Sequence, residues 1–394
     1  MKLAGRLAHI DPFYVMECAK VAQEIARSPA CDPAQGGERM LYLNIGEPDF
    51  TAPAPVVAAA EATLRAGRSQ YTDAVGLPEL RERISRWYAT RWGVDVPASR
   101  IVVTAGASAG LQLVCQALFE TGDEVLMPDP SYPCNRHFVA ATGATARLVP
   151  TTPASRFQLD ADHVRANWTP HTRGVLLATP SNPTGTSIAP AELGRIVDVV
   201  REKGGVAIVD EIYLGLSYDP AFERCALTLG DDVISVNSFS KYFGMTGWRL
   251  GWLVLPEALV GPVERLAQNL YICASSIAQH AAIAAFDAAS LAECETRRTA
   301  FRERRDYIVP ALQKLGMEVP VVPDGAFYVW ADCSRFAASS WDFAMQLMRT
   351  AHVALTPGKD FGPTHANTYF RLSFATSMPQ LQETVCRLKR ELDR

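Results

Sequence analysis

The segment Ser238-Phe-Ser-Lys-Tyr-Phe-Gly-Met-Thr-Gly-Trp-Arg-Leu-Gly251 says most about the fold and chemistry of this chain. It follows an apolar run that is typical of a buried strand, so Lys241 comes just after that strand. A buried lysine charge is costly, and burial lowers the pKa of the amine, which is a nucleophile when neutral. The hydroxyls of Ser238 and Ser240 and the forked guanidinium of Arg249 could hold a phosphate. From these residue types alone, a buried lysine in an ordinary salt bridge is an equally good interpretation.

Outward from this segment, short apolar runs alternate with helical patterns. Strands are predicted at 101–104, 124–127, 174–178, 206–209, 233–237 and 250–255. These runs are apolar throughout rather than alternating, which indicates strands buried on both faces of a mostly parallel sheet in an α/β fold. Ligands of such sheets bind beyond the carboxyl ends of the strands. One site is therefore predicted from the residues that follow these strands, namely Gly106, Asp129, Asn182, Asp210 and Lys241.

The pattern changes after about residue 290. A long charged helix is predicted at 293–314, followed by β-rich runs at 317–322, 326–330 and 369–374. This mixture is typical of an α+β companion domain, which the N-terminal segment is expected to join. We predict a small domain formed by 1–50 and 291–394 and a large domain formed by 51–290.

Composition excludes several classes of protein. The chain has 394 residues, 48% of them apolar and 20% charged, with a net charge of -4, so nothing favours nucleic acid or an anionic membrane as a partner. Its nine cysteines form no C-x-x-C pair and are interpreted as reduced thiols. The first ten residues lack the apolar run of a signal peptide, and no apolar stretch of transmembrane length occurs. We therefore expect a soluble cytoplasmic protein.

The lysine segment resembles the signature of the class I and II pyridoxal-phosphate aminotransferases, of the fold type I superfamily. The match consists of S-x-S-K, then Gly244, then G-W-R-L-G. The resemblance extends over nearly the whole chain, from Gly46-Glu-Pro-Asp-Phe50 to Arg371-Leu-Ser-Phe374. It implies a large domain whose mostly parallel sheet is covered by helices, plus a smaller α+β domain. It also implies that Lys241 is the catalytic residue and carries pyridoxal 5'-phosphate as a Schiff base.

The resemblance also assigns the residues around the cofactor ring. Asp210, in Ala-Ile-Val-Asp-Glu-Ile-Tyr213, would pair with the protonated ring nitrogen and keep the ring an electron sink. A helix N-cap is the plainer interpretation of such a carboxylate. Tyr213 would donate to the ring hydroxyl, and Asn182 in Pro-Ser-Asn-Pro-Thr-Gly would contact the same oxygen. Tyr132 would stack on the ring.

The same resemblance implies how the cofactor phosphate is held. Gly-Ala-Ser108 opens a helix, and the backbone amides of Ala107 and Ser108 would bind the phosphate at the helix N-terminus. Ser238, Ser240 and Arg249 would complete this site. No Walker motif follows, so a nucleotide-binding loop is not indicated.

Substrate and partner residues follow from further matches. Arg371 would bind the substrate α-carboxylate through a bidentate pair, assisted by Asn182, and Gly46 would allow that carboxylate to approach the backbone. An internal salt bridge is the alternative for Arg371. Tyr71 matches a tyrosine that reaches the phosphate of the neighbouring subunit, which implies a homodimer with shared active sites.

The predicted reaction is a ping-pong transfer of the α-amino group of an L-amino acid to a 2-oxo acid. Aspartate-selective relatives use an extra basic residue, but this chain has Ser108 at one such position and no basic residue within 268–279. Neutral or aromatic donors are therefore favoured, because an unpaired distal carboxylate is costly in a pocket. The apolar segment at 12–16 could line that pocket, although core packing is slightly favoured.

Three alternatives remain. A β-eliminating C–S lyase could use the same scaffold, since a fold does not determine a reaction. A non-enzymatic regulator could retain the cofactor, but such proteins usually carry an added DNA-binding domain, for which this chain has no spare length. A metal or nucleotide enzyme is disfavoured, because the histidines and cysteines show no ligand spacing.

Overall fold

The computed structural model describes residues 1–393, apart from the side chains of Arg6 and His9; Arg394, the last residue of the predicted small domain, lies outside the described residues. The α-helices are α1 (Tyr14–Ala26), α2 (Ala54–Arg65), α3 (Pro78–Trp92), α4 (Ala107–Leu118), α5 (Pro133–Ala140), α6 (Ala161–Asn167), α7 (Pro190–Glu202), α8 (Glu257–Leu270), α9 (Ser276–Ile283), α10 (Ala288–Lys314), α11 (Ser340–Thr350) and α12 (Met378–Leu392). The strands are β1 (Leu41–Tyr42), β2 (Ile101–Thr104), β3 (Glu124–Asp129), β4 (Thr145–Pro150), β5 (Thr172–Ala178), β6 (Val206–Asp210), β7 (Ile234–Ser238), β8 (Gly251–Val254), β9 (Tyr328–Asp332), β10 (Val353–Ala354), β11 (Thr356–Pro357) and β12 (Tyr369–Ser373).

A seven-stranded sheet forms the centre of the molecule, in the order β2-β8-β7-β6-β5-β3-β4. The strands from β7 to β4 pair in parallel, whereas β8 is antiparallel to both of its neighbours. The predicted α/β fold with a mostly parallel sheet is therefore confirmed. The sequence did not predict the edge strand β4, whose residues are largely only half-buried.

Both faces of this sheet are buried, which explains why its strands lack alternation. Successive strand residues point to opposite faces. Leu176 and Ile208 pack with residues of α4 and α8 on one face, whereas Leu177 and Val209 pack with residues of α6 and α7 on the other. Apolar side chains are thus required at every position, and the crossover helices place all the parallel strands with their carboxyl ends at one edge.

Two smaller sheets lie apart from the central one. Strands β11, β12 and β9 form an antiparallel sheet, and β1 pairs in parallel with β10, with Leu41 opposite Val353. The N-terminal segment therefore joins the C-terminal part of the chain, as its pattern predicts. Helix α10 begins at Ala288, somewhat earlier than predicted.

The strand predicted at 317–322 is wrong. The structure has only an isolated bridge between Glu318 and Asp332 at this place. Pro320 and Pro323 lack the backbone N–H that a ladder requires, and they interrupt the apolar run. Within residues 1–393, no helix is long and apolar enough to cross a membrane.

Candidate active site

A cavity of about 540 Å³ lies at the carboxyl edge of the central sheet. The ends of β5, β6 and β7 and the N-terminus of α4 form one side of it, and α1, β9 and β12 form the opposite side. Of the strand-end residues that the sequence groups together, Asn182, Asp210 and Lys241 line this cavity. Asp129 does not line it, because its carboxylate accepts hydrogen bonds from the backbone and side chain of Thr364.

Lys241 points its amine into the cavity. Its Nζ donates a 2.7 Å hydrogen bond to the carbonyl oxygen of Gly46, so its partner is a neutral group rather than the carboxylate of a salt bridge. Burial and then the nearby charge of Arg371 lower the pKa of Lys241 to about 8. An amine with such a pKa is partly neutral near neutral pH and can accept a proton or attack a carbonyl.

Asp210 ends β6 and is 4% exposed. Its Oδ1 accepts a 3.1 Å hydrogen bond from the backbone N–H of Ile212, and it does not cap a helix, because the next short helix has Tyr213 as its N-cap. Burial, opposed by that hydrogen bond and assisted by the adjacent charge of Glu211, raises the pKa of Asp210 to about 7. A carboxylate in this position would be stabilised by a cationic group placed in the cavity.

An anion-binding arrangement lies at the start of α4. No side chain caps this helix, and the first N–H groups of a helix lack intrahelical partners. Gly106 has φ of +85° and lies so close to Arg249 that a Cβ atom would come within 2.7 Å of its Nη2. The free N–H groups of Ala107 and Ser108 and the guanidinium therefore converge on one place, as in helix N-terminal phosphate sites.

Ser238 and Ser240, which also line the cavity, are ordered by a hydrogen bond in the loop after β7. The hydroxyl of Ser238 accepts a 3.0 Å hydrogen bond from the backbone N–H of Ser240. Both serines line the cavity together with Arg249, whose Nη1 donates to the carbonyl of Thr246 at 2.9 Å. Two serines and one cation thus line the same cavity as the N-terminus of α4.

Arg371 lies on β12 and is only 2% exposed. Its Nη1 donates to Oδ1 of Asn182 at 2.8 Å, and its Nη2 donates to the carbonyl of Asn44 at 2.6 Å. Its Nε has no partner within the described residues. The rings of Tyr328 and Phe361 lie 4.5 and 5.1 Å from the guanidinium carbon. A buried arginine held by neutral oxygens and aromatic faces is suited to a carboxylate that enters from the cavity.

Sequence reasoning missed Tyr328, which also lines the cavity. Its hydroxyl is 2.8 Å from the hydroxyl of Tyr213. A Cβ atom at position 46 would come within 2.5 Å of the Tyr328 hydroxyl. Gly46 is therefore required because Tyr328 approaches it, besides any role toward a ligand. An aromatic residue in an aromatic-rich strand carries no sequence signal that separates it from a core residue.

Helix α1 forms the apolar wall opposite the sheet. Phe13 and Met16 line the cavity, and the rings of Phe13 and Tyr132 form a T-shaped contact with centroids 6.1 Å apart. The slight preference for core packing of this segment is therefore wrong for these side chains. Helical spacing explains the difference, since Cys18 and Ala22 on the other face of α1 enter the core.

Tyr71 does not reach the cavity of its own chain. Its side chain is 77% exposed, and it follows Gln70, whose carbonyl accepts a 2.6 Å hydrogen bond from the hydroxyl of Ser276. The loop is thus held at the surface, with its tyrosine directed away from the residues described above. No group of three or more potential metal ligands occurs among the residues that the structure describes.

Comparison with known proteins identifies the family. The sequence model of the class I and II aminotransferases matches residues 38–388. The chain belongs to this family. It is 37% identical to valine–pyruvate aminotransferase of Mycobacterium tuberculosis over 382 residues, which cover 97% of this chain and 96% of the relative. It is 36% identical to arginine–pyruvate transaminase of Pseudomonas aeruginosa over 354 residues, which cover 89% and 90%.

A solved structure supports the same conclusion. Aspartate aminotransferase from Thermus thermophilus with maleate superposes with a TM-score of 0.91 and 31% identity, covering 99% of both chains. The protein is an aminotransferase that transfers amino groups between amino acids and 2-oxo acids, and pyridoxal phosphate is its cofactor. The elimination, regulator and metal-enzyme alternatives are not favoured.

The cavity of this aminotransferase fits that cofactor. The uncapped start of α4 beside Arg249 suits a phosphate, and the buried Asp210, with its single hydrogen bond, suits a protonated pyridine nitrogen. The amine of Lys241 lines the same cavity, where the charges of Asp210 and of the buried Arg371 both act on it.

Proposed function

We propose that this aminotransferase takes amino groups from neutral or aromatic L-amino acids and that Lys241 moves the proton in the transfer. The observation that carries the proposal is the Lys241 amine, which has a lowered pKa and shares one cavity with a buried Asp210 and with Arg371. When bound, pyridoxal phosphate supplies an electron sink for the electrons that are left when the substrate Cα loses a proton.

Residues on the sheet side would hold the cofactor. The backbone N–H groups of Ala107 and Ser108, the hydroxyls of Ser238 and Ser240, and Arg249 would bind the phosphate. This role is supported by their convergence at the start of α4, where the helix dipole also favours an anion.

The ring would lie between Tyr132 and the end of the sheet. Asp210 would pair with the ring nitrogen, and its ionised form would be favoured by that positive charge, which lowers a carboxyl pKa that burial has raised. Tyr213 and Asn182 would donate to the ring oxygen. The hydroxyl of Tyr213 is already oriented by Tyr328 at 2.8 Å.

Arg371 and Gly46 would orient the substrate carboxylate. A bidentate pair with Arg371 would direct the Cα hydrogen toward Nζ of Lys241, whose hydrogen bond to the Gly46 carbonyl would yield to the substrate. Nζ of Lys241 would then accept the proton from the substrate Cα and later donate it again, which completes the proton transfer. Asn182 would hold both the guanidinium of Arg371 and the ring oxygen of the cofactor.

The preference for neutral or aromatic donors is supported by the wall of the cavity. Its lining contains Lys241, Arg249 and Arg371 as basic residues, and each of these already has a proposed role. Phe13, Met16 and other apolar side chains line the part nearest α1. A distal carboxylate would lose its hydration there without gaining a partner from this chain.

We further propose a homodimer in which Tyr71 completes the phosphate site of the partner subunit. The 77% exposure of this tyrosine supports the proposal, as does the exposure of Leu270 and Ile272, which are 53% and 45% exposed. Neighbouring apolar side chains that are exposed together often mark an interface with a partner. The free thiols within residues 1–393 suit a reducing compartment such as the cytoplasm.

The division into domains also remains a proposal. A small domain of 1–50 and 291–394 is supported by the pairing of β1 with β10, and a large domain of 51–290 by the central sheet, all of whose strands lie within that range. The cavity would then lie between the two domains, which is a common place for an active site.

The test is a half-reaction with the holoenzyme and one amino acid, without any 2-oxo acid. We expect about one equivalent of 2-oxo acid per active site, after which release stops because the amino group remains on the enzyme. Addition of pyruvate should then yield alanine. The donor panel should rank alanine, valine, leucine and phenylalanine above aspartate. Continuous release of ammonia without an acceptor would contradict transamination, and a marked preference for aspartate would contradict the proposed substrate class.

A further inference from the structure

The first turn of α1 lacks a cap from its own sequence. The N-cap residue is Phe13, whose side chain cannot accept a hydrogen bond. The backbone N–H groups of Tyr14 and Val15 instead donate to Oδ1 and Oδ2 of Asp360 at 3.0 and 3.2 Å. This carboxylate is fully buried, and it comes from a part of the chain about 345 residues away.

The capped turn carries Phe13 and Met16, which line the cavity together with Ala19 and Gln23 from the later turns of α1. Phe13 and Met16 face the site, whereas the later turns are held by Cys18 and Ala22, which pack with Met348 and its neighbours. Hydrophobic contacts therefore hold the body of the helix. In the first turn, Phe13 meets Tyr132 and Tyr14 meets Trp341, and Asp360 accepts the hydrogen bonds of the backbone N–H groups of Tyr14 and Val15. Loss of the cap would release the apolar wall without removing the helix from the core.

The turn that carries Asp360 also contacts the other parts of the site. The backbone carbonyl of Asp360 accepts a 3.2 Å hydrogen bond from Arg136 of α5, the helix that begins beside Tyr132. The next residue, Phe361, places its ring 5.1 Å from the guanidinium carbon of Arg371. A single short turn thus contacts both Arg371, the proposed binding residue for the substrate carboxylate, and the wall that faces the substrate side chain.

We propose that Asp360 is a positioning residue that holds the first turn of α1 at a set distance from Arg371 and so determines how well the enzyme uses donors with long side chains. This inference rests on the proposed function. Arg371 fixes the carboxylate end of every donor alike. Only donors whose side chains extend as far as Phe13 and Met16 gain from a fixed wall, because only they bury apolar surface against it.

The experiment compares Asp360→Ala with the wild-type holoenzyme on alanine, valine, leucine and phenylalanine, with pyruvate or 2-oxoglutarate as acceptor. We expect the ratio of kcat/KM for the best long-chain donor to kcat/KM for alanine to fall about fivefold, the size that corresponds to the loss of a helix cap. Alanine should change much less, mainly because its methyl group is too short to reach the wall. Asp360→Asn retains one oxygen acceptor, so its ratio should lie between those of the wild type and Asp360→Ala.

Asp160→Ala is the matched control. Asp160 caps α6 by the same chemistry, accepting a 2.7 Å hydrogen bond from the N–H of His163, and it does not line the cavity. Its donor ratio should equal that of the wild type. A general loss of stability in either variant would lower kcat/KM for all donors by the same factor and leave the ratio unchanged.

An unchanged ratio in Asp360→Ala overturns the role of Asp360. If that variant does not yield cofactor-loaded protein, the ratio in Asp360→Asn decides, and equality with the wild type overturns the proposal in the same way. A wild-type enzyme that transfers amino groups from none of these donors would instead overturn the proposed function itself. The two failures are thus separated by the wild-type measurement.

Discussion

The two sides of the cavity are built in different ways. On the sheet side, Asp210 and Lys241 lie at or just beyond the ends of adjacent strands, so short local segments deliver them. On the opposite side, Phe13, Tyr328 and Arg371 come from segments far apart in the sequence, which meet through the pairing of β9 with β12 and the packing of α1. The proposed chemistry is therefore encoded locally, whereas the proposed fit to the substrate is encoded by tertiary contacts.

Among substitutions on the two sides of the cavity, Asp210→Asn on the sheet side should have the largest effect on kcat. The amide cannot supply the negative charge that holds a protonated ring nitrogen, and removal of one member of a buried charge pair costs about 2–5 kcal/mol. We expect kcat to fall about 10²- to 10³-fold, with a smaller change in the KM of the donor. Steady-state kinetics of the cofactor-saturated variant measure this, and a kcat near that of the wild type would contradict the assignment.

Arg371→Lys tests the opposite side. Lysine keeps the positive charge but not the planar fork, so the substrate carboxylate should lose one charge-assisted hydrogen bond, worth about 1.5–3 kcal/mol. We expect kcat/KM for all donors to fall about 10- to 100-fold, mostly through KM. If kcat fell alone, Arg371 would belong to the chemical step rather than to binding.

Tyr328→Phe removes one of the hydrogen bonds that join the two sides. The variant loses the 2.8 Å hydrogen bond to Tyr213 but keeps the ring against Arg371. One hydrogen bond is worth about 1 kcal/mol, so kcat should fall about fivefold while the KM of the donor stays close to that of the wild type. A control, Tyr328→Leu, removes the ring as well and should also raise KM. Equal KM values in the two variants would show that the ring does not orient Arg371.

Two adjacent buried carboxylates on the sheet side, Asp210 and Glu211, are expected to have different roles. Glu211 follows Asp210 but faces the core, where it accepts hydrogen bonds from Ala226 N–H at 2.7 Å and Ser235 Oγ at 2.6 Å. Burial, opposed by these bonds, raises the pKa of Glu211 to about 7. We therefore expect Glu211→Gln to change kcat far less than Asp210→Asn does.

The raised pKa of Glu211 also predicts a dependence of stability on pH. The folded state keeps this proton up to about pH 7, whereas the unfolded chain releases it near pH 4.3, so the wild type loses stability as pH rises between these values. The amide of the Glu211→Gln variant has no such proton to lose. The melting temperature of this variant minus that of the wild type should therefore increase from pH 5 to pH 7.5. A constant difference would contradict the raised pKa of Glu211.

Much of the site could be predicted from sequence because its residues follow buried strands. The apolar runs predicted the central sheet, and the polar residues after them predicted where Asn182, Asp210 and Lys241 would meet. The same logic failed for Asp129, since a residue at a strand end can be captured by a neighbouring loop, here by Thr364. The lysine motif supplied the chemistry that strand positions alone leave open.

The apolar wall could not be predicted in the same way. Phe13 and Met16 line the cavity from the first turn of α1, whose N–H groups donate to Asp360, and nothing in the segment at 12–16 indicates a partner so far along the chain. Tyr328 resembles a core residue in sequence, and its role depends on a hydroxyl that meets the hydroxyl of Tyr213, 115 residues earlier in the chain. The strand predicted at 317–322 failed for a local reason, the two prolines.

The proposed mechanism depends above all on which lysine binds the cofactor. Holoenzyme is reduced with borohydride, digested, and analysed by mass spectrometry, in the wild type and in Lys241→Ala. We expect the wild-type label on the peptide that contains Lys241, and no label in the variant, whose transaminase activity should fall by at least about a thousandfold. A label on another lysine, or a variant that remains active, would contradict the mechanism.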